Sequence, residues 1–529
     1  MLHGGGARFC TLVVVIVFGT LYFTTLHSHS GDEAFSSAGL LEKAQNAVGS
    51  ALARRHHCPV PRSSQTRAID HTKQTCVPLD SPSTVFAVSF CYERDAYDAF
   101  TMRVRRLDQE ECTTVEEQGP QADREDVRAF VQTERGPDTF WLRVDGAERI
   151  STQRSVYEGG CSYRFDVPVR NAGDLYVELF HAWEEYLGFI ETDDMRARPW
   201  PPLLNNPLLS QTLRIPWGSS DCRPYNVPPL FESHHTKVPA PLSPFELMVN
   251  NLPSCAGLDP MTGSYYRAHT LDVLWPEIYY PQPLGRPVGG RYRFMPHDCE
   301  WRHAGMRAAS AHRCTGKKSS VYTLGDSHGR LVHDGVIHRL NGTAGQMTAS
   351  PKLEFKTAEV GEIDFAFQWD PRGELMVTQT ERLCATLKER EVDIYFASIA
   401  FHLAIDQPTH VFLERVEKLF DAVDQCTDAE YAGPSTRILL TPAAAAPRQD
   451  LAGSGLREKN TNVRHAYWSA LVAPLAKSRG WALLDQFALT EPIAWEPMFM
   501  DKLHYLLTDA VEALVDEAVG RTGLCPEGY

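Results

Sequence analysis

No stretch of this chain is rich in lysine and arginine. Its 52 Lys and Arg residues are outnumbered by 67 Asp and Glu, giving a net charge of −15. A protein that grips a phosphate backbone needs a basic face, so nucleic acid is not expected as a partner. Paired cysteines are missing too: none of the 13 stands in a CxxC spacing. A thiolate zinc centre is therefore not expected, and no metal is assigned. No internal repeat is evident, which excludes a solenoid or propeller reading. Long uncharged apolar runs are scarce, and the one at 9–26, FCTLVVVIVFGTLYFTTL, is informative for that reason.

That run has about the minimum length for a membrane-spanning helix. Arg8 precedes it, and Asp32 and Glu33 follow. The positive-inside rule then reads 1–8 as a cytoplasmic tail, 9–26 as a transmembrane signal anchor and the remainder as lumenal. The alternative is a cleaved signal peptide, and both readings send the body of the chain into the secretory pathway. Cysteine usage agrees. Cys10 lies in the apolar run and twelve others follow it. An even lumenal number suits disulfides in an oxidising compartment, with Cys299 and Cys314 a candidate local pair. Asn341-Gly342-Thr343 is a glycosylation sequon.

Five hundred and twenty-nine residues exceed what one core organises, so several domains are expected. Residues 27–83 are polar and read as a stem. Over 84–195, short alternating runs such as TVFAVSF, FTMRVRRL, DTFWLRVDG and DLYVELFHA are separated by turn-rich pieces. They predict a β-sandwich that carries no chemistry. Residues 196–290 are proline-rich and resist regular structure, but their Trp and Tyr content predicts a connector lying against the folded parts. From 291 to 529 the texture is α/β. SSVYTLGD, IDFAFQW, DIYFASIAF, RILLTPA and GWALLDQF read as buried strands, and helical runs separate them. HVFLERVEKLFDAVDQ spaces its apolar residues helically, TNVRHAYWSALVAPLAKSRG is expected to be helical with a kink at Pro474, and LLTDAVEALVDEAVG starts at Thr508 as an N-cap. This alternation predicts a mainly parallel sheet covered on both faces. Ligands of such sheets bind beyond the carboxyl ends of the strands.

Ser327 sits at such an end, in VYTLGDSHGRLVHDG. A serine that closes a strand and opens a helix can present its hydroxyl at the sheet edge, where amides stabilise a developing oxyanion. It needs a histidine as base, and the histidine needs an orienting carboxylate. Asp501 and His504, three residues apart just before the last helix, offer both. His328, His333 and His338 recur every five residues, which spreads them around a helix and does not gather a metal.

These residues resemble the SGNH/GDSL hydrolase superfamily, and more narrowly its PC-esterase branch. That branch includes the trichome-birefringence-like polysaccharide O-acetyltransferases, the sialic-acid and fungal capsule O-acetyltransferases, and the neurexophilin-and-PC-esterase-domain proteins. Its Gly-Asp-Ser-x-x-Arg motif is matched by Gly325, Asp326, Ser327 and Arg330, and its Asp-x-x-His by Asp501 and His504. The lead-in Cys299, Arg302, Cys314, Gly316 and Lys317 is also similar. The resemblance covers roughly 291–529 and implies a three-layer α/β domain. It is weaker for the preceding β-sandwich, which is immunoglobulin/filamin-like in outline. One departure is plain: where the superfamily places an oxyanion asparagine and a glycine, this chain has Ser398 and Ala400, with His402 retained. Ser398 is then the candidate oxyanion donor, and His402 and Arg330 are candidate substrate contacts. The resemblance implies a Golgi-membrane glycan O-acetyltransferase or acetylesterase acting through an acyl-serine. It would bind no resident cofactor. Acetyl-CoA or a derived carrier would be the acetyl donor, and a separate membrane protein would supply it. The alternative is a non-catalytic surface or secreted glycoprotein whose β-sandwich binds a partner.

Overall fold

The computed structural model describes residues 69–93, 96–146, 148–152, 154–169, 173–192, 207–215, 255, 262–267, 292–296, 299, 318–341, 355–428, 430–445, 461–494, 504–505 and 509–524. Among them no helix is long and apolar enough to cross a membrane, and the 9–26 run lies outside them. The chain is mixed α/β with three sheets, one of them mainly parallel.

The first eleven strands are β1 (Gln74–Leu79), β2 (Phe86–Glu93), β3 (Ala96–Arg106), β4 (Thr139–Gly146), β5 (Glu148–Thr152), β6 (Val156–Gly159), β7 (Ser162–Pro168), β8 (Gly173–Trp183), β9 (Leu209–Ile215), β10 (Gly263–Arg267) and β11 (Tyr292–Pro296). They form a sheet of order β1-β2-β3-β7-β6 and a second of order β11-β10-β5-β4-β8-β9. Every pairing in both is antiparallel. Alternate residues point to one side of a strand. Phe100, Met102 and Val104 of β3 and Tyr163, Phe165 and Val167 of β7 therefore meet Phe140, Leu142 and Val144 of β4 and Leu175, Val177 and Leu179 of β8 in one buried cluster. Between β3 and β4 the chain forms helices α1 (Gln109–Gln118) and α2 (Glu125–Phe130). Asp108 caps α1 by accepting from the Glu111 N–H at 3.0 Å. A Cys112–Cys161 disulfide ties α1 to the turn before β7.

Three boundaries differ from the sequence expectation. β1 lies inside the residues read as stem, where it pairs with β2 and is joined to it by Cys76–Cys91. β9 and β10 lie inside the proline-rich connector, and β11 lies beyond residue 290, yet all three extend the second sheet. Prolines bound these short strands without interrupting their ladders, which is how proline is tolerated beside a sheet. The expected Cys299–Cys314 pair is also corrected. Cys299 is bonded to Cys255, because β10 and β11 run antiparallel and bring their flanking residues together. A Cys384–Cys426 disulfide also lay beyond sequence reasoning.

The third sheet contains β12 (Ser319–Gly325), β13 (Phe355–Val360), β14 (Ile363–Trp369), β15 (Ile394–Ser398), β16 (Thr436–Leu440) and β17 (Ala482–Leu484). Its order is β13-β14-β12-β15-β16-β17. Only the edge strand β13 is antiparallel. Its helices are α3 (Ser327–Asn341), α4 (Glu374–Thr378), α5 (Thr380–Glu389), α6 (Ala400–Ala404), α7 (Thr409–Asp424), α8 (Asn462–Ser478), α9 (Gln486–Thr490) and α10 (Asp509–Thr522). α3 and α10 pack on one face of the sheet, beside Val321, Phe365 and Phe396. α5, α7 and α8 pack on the other, beside Tyr322, Leu324 and Tyr395. Buried on both faces, these strands read as nearly continuous apolar runs. Pro474 stands inside α8, whose helical span continues past it to Ser478. Thr508, expected to cap α10, lies outside the described residues.

The antiparallel part is not a spacer. Residues 58–529 form one compact unit. Trp141, Phe180 and Tyr265 join the core on the α3 side, and Val127, Trp183, Tyr186 and Phe189 join the core on the α7 side. Tyr265 donates its hydroxyl to the Leu489 carbonyl at 2.5 Å. Glu191, just past β8, accepts from Arg464 Nε at 2.8 Å and from the Thr409 N–H at 2.5 Å.

Candidate active site

The five parallel strands run in the order 2-1-3-4-5, with β12 first in sequence. Connections leave β12 and β14 toward opposite faces, so the chain reverses its winding at β12 and β15. A crevice beyond the strand ends is the consequence. Gly325 closes β12 there, in register with Ser398 on β15 and Trp369 on β14. The turn is drawn tight: the Asp326 N–H donates to the Ser398 carbonyl at 2.9 Å, and the Asp370 N–H donates to the Gly325 carbonyl at 2.9 Å.

This closeness demands glycine. Gly325 has φ +155°, and a Cβ there would lie 2.2 Å from the Ser398 carbonyl oxygen. One at Gly329 would lie 2.7 Å from Ser398 Cβ. Gly325→Ala should therefore lower stability by roughly 2–5 kcal/mol, from backbone strain plus overpacking, as read by denaturant unfolding. A variant as stable as wild type would mean the turn is looser than described.

Asp326 is fully buried. Its Oδ1 accepts from the His328 and Gly329 N–H groups at 3.0 and 3.1 Å and from the Ser398 hydroxyl at 2.7 Å. Burial pushes its carboxyl up, opposed by the charge of nearby His402, the Ser398 hydroxyl and the two amides. The Arg330 N–H goes to the Asp326 carbonyl. Of the first four amides of α3, three are thus taken, and the Ser327 N–H has no acceptor among the described residues. First-turn amides have no partner within their own helix.

Ser327 opens α3, and its Oγ lies 2.6 Å from His504 Nε2. Both residues are half-buried. The His504 ring stacks on His328 with centroids 5.2 Å apart, and His328 packs on Phe401 of α6 at 4.5 Å. Asp501, expected to orient His504, lies outside the described residues. Ser398 departs from its expected role. A hydroxyl has one proton, and that of Ser398 is directed to Asp326, so it supports the turn. His402 is half-buried, with its ring edge-on to Trp369 at 5.8 Å. Arg330 stands one turn after Ser327 and lies over the same Trp369 at 5.7 Å. Asn341, the sequon asparagine, is the exposed last residue of α3. His328 and Trp369 are neighbours of the Ser327–His504 pair that sequence reasoning did not assign to the site. For Trp369 there was a signal, an aromatic at the carboxyl end of the strand neighbouring the serine. A separate cleft of about 870 Å³, lined by Tyr322, Leu324, Gln368, Met376, Leu383 and Arg390 among others, does not include Ser327.

Two further histidines are buried as neutral rings. His465, next to Phe401, donates Nδ1–H to the Ala443 carbonyl at 2.7 Å, and His333 bonds Thr323 Oγ1 at 3.1 Å. Burial lowers both from 6.5 to about 3. Between those values the unfolded chain binds protons that the native chain does not, so stability falls as pH falls through this window. Each histidine should cost on the order of 2 kcal/mol at pH 5 relative to pH 8. The check is chemical unfolding at both pH values: His333→Asn should narrow the drop by about that amount. An unchanged drop would show that His333 titrates normally.

No family model matches this sequence, and no curated protein matches it. Among solved structures, one similar chain is the ADP-ribosylation-factor-like GTP-binding protein, small COPII coat GTPase SAR1, from Encephalitozoon cuniculi in complex with GDP. It is 11% identical, the match covers 40% of this chain and 86% of that one, and the TM-score is 0.20. A superposition that loose carries no argument about fold or function.

Proposed function

We propose that this protein is a membrane-anchored, lumenal serine-dependent O-acyltransferase or esterase acting on glycans, with an SGNH/PC-esterase-like α/β domain behind a β-sandwich. The observation that carries the reading is the 2.6 Å contact between Ser327 Oγ and His504 Nε2 at the point where the parallel sheet reverses. Ser327 Oγ attacks the carbonyl carbon of an acyl donor while His504 Nε2 takes the hydroxyl proton. The Ser327 N–H stabilises the oxyanion, aided by the amino end of α3. His504 passes the proton to the leaving group, and an acyl-serine remains. A sugar hydroxyl, or water, then attacks the acyl carbon and gives its proton to His504, which returns it to Ser327 Oγ. In this reading Asp501 orients His504, the acyl group is acetyl, and the donor is acetyl-CoA or a derived carrier delivered by a partner membrane protein. The site of action is the Golgi lumen.

The competing reading is a non-catalytic glycoprotein, and the committed Ser398 hydroxyl favours it. One experiment separates them. The purified lumenal protein is incubated with an aryl acetate or a fluorophosphonate and digested for mass spectrometry. An adduct on the peptide containing Ser327, lost in Ser327→Ala, supports the enzyme. No adduct on any serine sinks it.

A further inference from the structure

Arg330 is only 7% exposed, and buried cations are ordinarily paired. Yet no ion pair or side-chain hydrogen bond involves it among the described residues. Neither nearby carboxylate forms an ion pair with it: Asp334 holds Lys356, and Asp326 Oδ1 serves Ser398 and two amides. Its one described contact is the Trp369 ring, 5.7 Å from Cζ. A guanidinium held beside an aromatic ring can still present N–H groups to a ligand, and its planar fork matches a carboxylate through two bonds. Burial also holds the guanidinium below its usual value, opposed by the charges of Asp334 and Asp326.

Building on the proposed acyl-serine chemistry, we infer that Arg330, braced by Trp369, binds a carboxylate of the acceptor, which makes the acceptor an acidic, hexuronate-type sugar. Reach decides between donor and acceptor. Arg330 is one helical turn from Ser327, a spacing of about 5–6 Å between Cβ atoms. A hexuronate carries its carboxylate on the ring that bears the hydroxyls to be acylated, so both fit within that span. In coenzyme A the phosphates are separated from the thioester by the whole pantetheine arm, which overshoots it. Trp369 and His402, both half-buried, flank the approach.

The test reads binding and needs no turnover, so it stands apart from the acyl-serine experiment. Methyl glucuronopyranoside, methyl glucopyranoside and coenzyme A are titrated into full-length Ser327→Ala protein, followed by ligand-observed NMR. The glucuronoside should bind at least tenfold more tightly than the glucoside. Adding Arg330→Gln should abolish that preference, Arg330→Lys should keep part of it, and Trp369→Ala should weaken it. Thermal unfolding of each variant confirms that it is folded. Equal binding of the two sugars, or a preference that survives Arg330→Gln, overturns the inference. Coenzyme A affinity that depends on Arg330 while glucuronoside affinity does not would overturn it as well, by moving the anion to the donor. If Ser327 traps acyl groups but no preference is seen, the enzyme reading stands and this inference falls.

Discussion

Ser327→Ala should reduce deacetylation of a model glycan acetate by at least about 10³-fold, equivalent to about 4 kcal/mol of transition-state stabilisation. In the proposed mechanism Oγ is the atom that forms the new bond, and no other hydroxyl of the described turn can replace it: Ser398 is buried and bonded to Asp326. His504→Ala should fall by a comparable factor, because an unassisted serine is a poor nucleophile. The informative variant is the double one. If the 2.6 Å contact is the working contact, Ser327→Ala combined with His504→Ala should be no slower than the worse single variant. Multiplying losses would mean that the two residues act independently, and the nucleophile–base assignment would be wrong. Binding of the substrate should change little in Ser327→Ala, since the loss belongs to the chemical step.

The parts of this site readable in advance are those in which local sequence determines local structure. Buried parallel strands leave apolar runs, so SSVYTLGD and DIYFASIAF stood out, and Gly-Asp-Ser at the end of the first marked a strand-to-helix turn. What could not be read depends on register between distant strands. Whether the Ser398 hydroxyl faces a substrate or a neighbouring carboxylate turns on Gly325 lying opposite it across β12 and β15, and neither strand encodes that alignment. The same holds for Cys299, whose partner is set by the pairing of β10 with β11. The proline-rich segment concealed two strands because short strands carry too few residues for an alternating pattern to emerge.

Glu191→Ala should destabilise the protein by about 3–5 kcal/mol, the effect expected when one member of a buried ion pair is removed and the other stays charged. Arg464 is 1% exposed. Besides Glu191 it donates to the Ala404 and Gln407 carbonyls at 2.7 and 2.6 Å, at the exit from α6, and its guanidinium lies over Trp468 at 5.1 Å. α6 carries His402 and also Phe401, against which His328 packs, and His328 in turn stacks on His504. The substitution should therefore reach the site as well as the melting curve, with turnover falling at temperatures where the variant is still folded. Glu191→Gln, which keeps an acceptor oxygen for one of the two donors, should recover part of the loss. A Glu191→Ala variant as stable and as active as wild type would show that the contact between the antiparallel and parallel parts is incidental.

The second sheet takes β4, β5 and β8 to β11, and its last strand ends only 23 residues before β12 begins. A cut at the junction near residue 290 does not leave two self-sufficient pieces. A fragment starting at residue 291 would carry β11 stripped of β10 and Cys299 stripped of Cys255. A fragment ending at 290 would leave Trp141, Phe180 and Tyr265 facing water where they now meet the α/β core. Recombination that exchanges one module for another at this junction is thereby penalised, and the two parts are bound to fold as a pair.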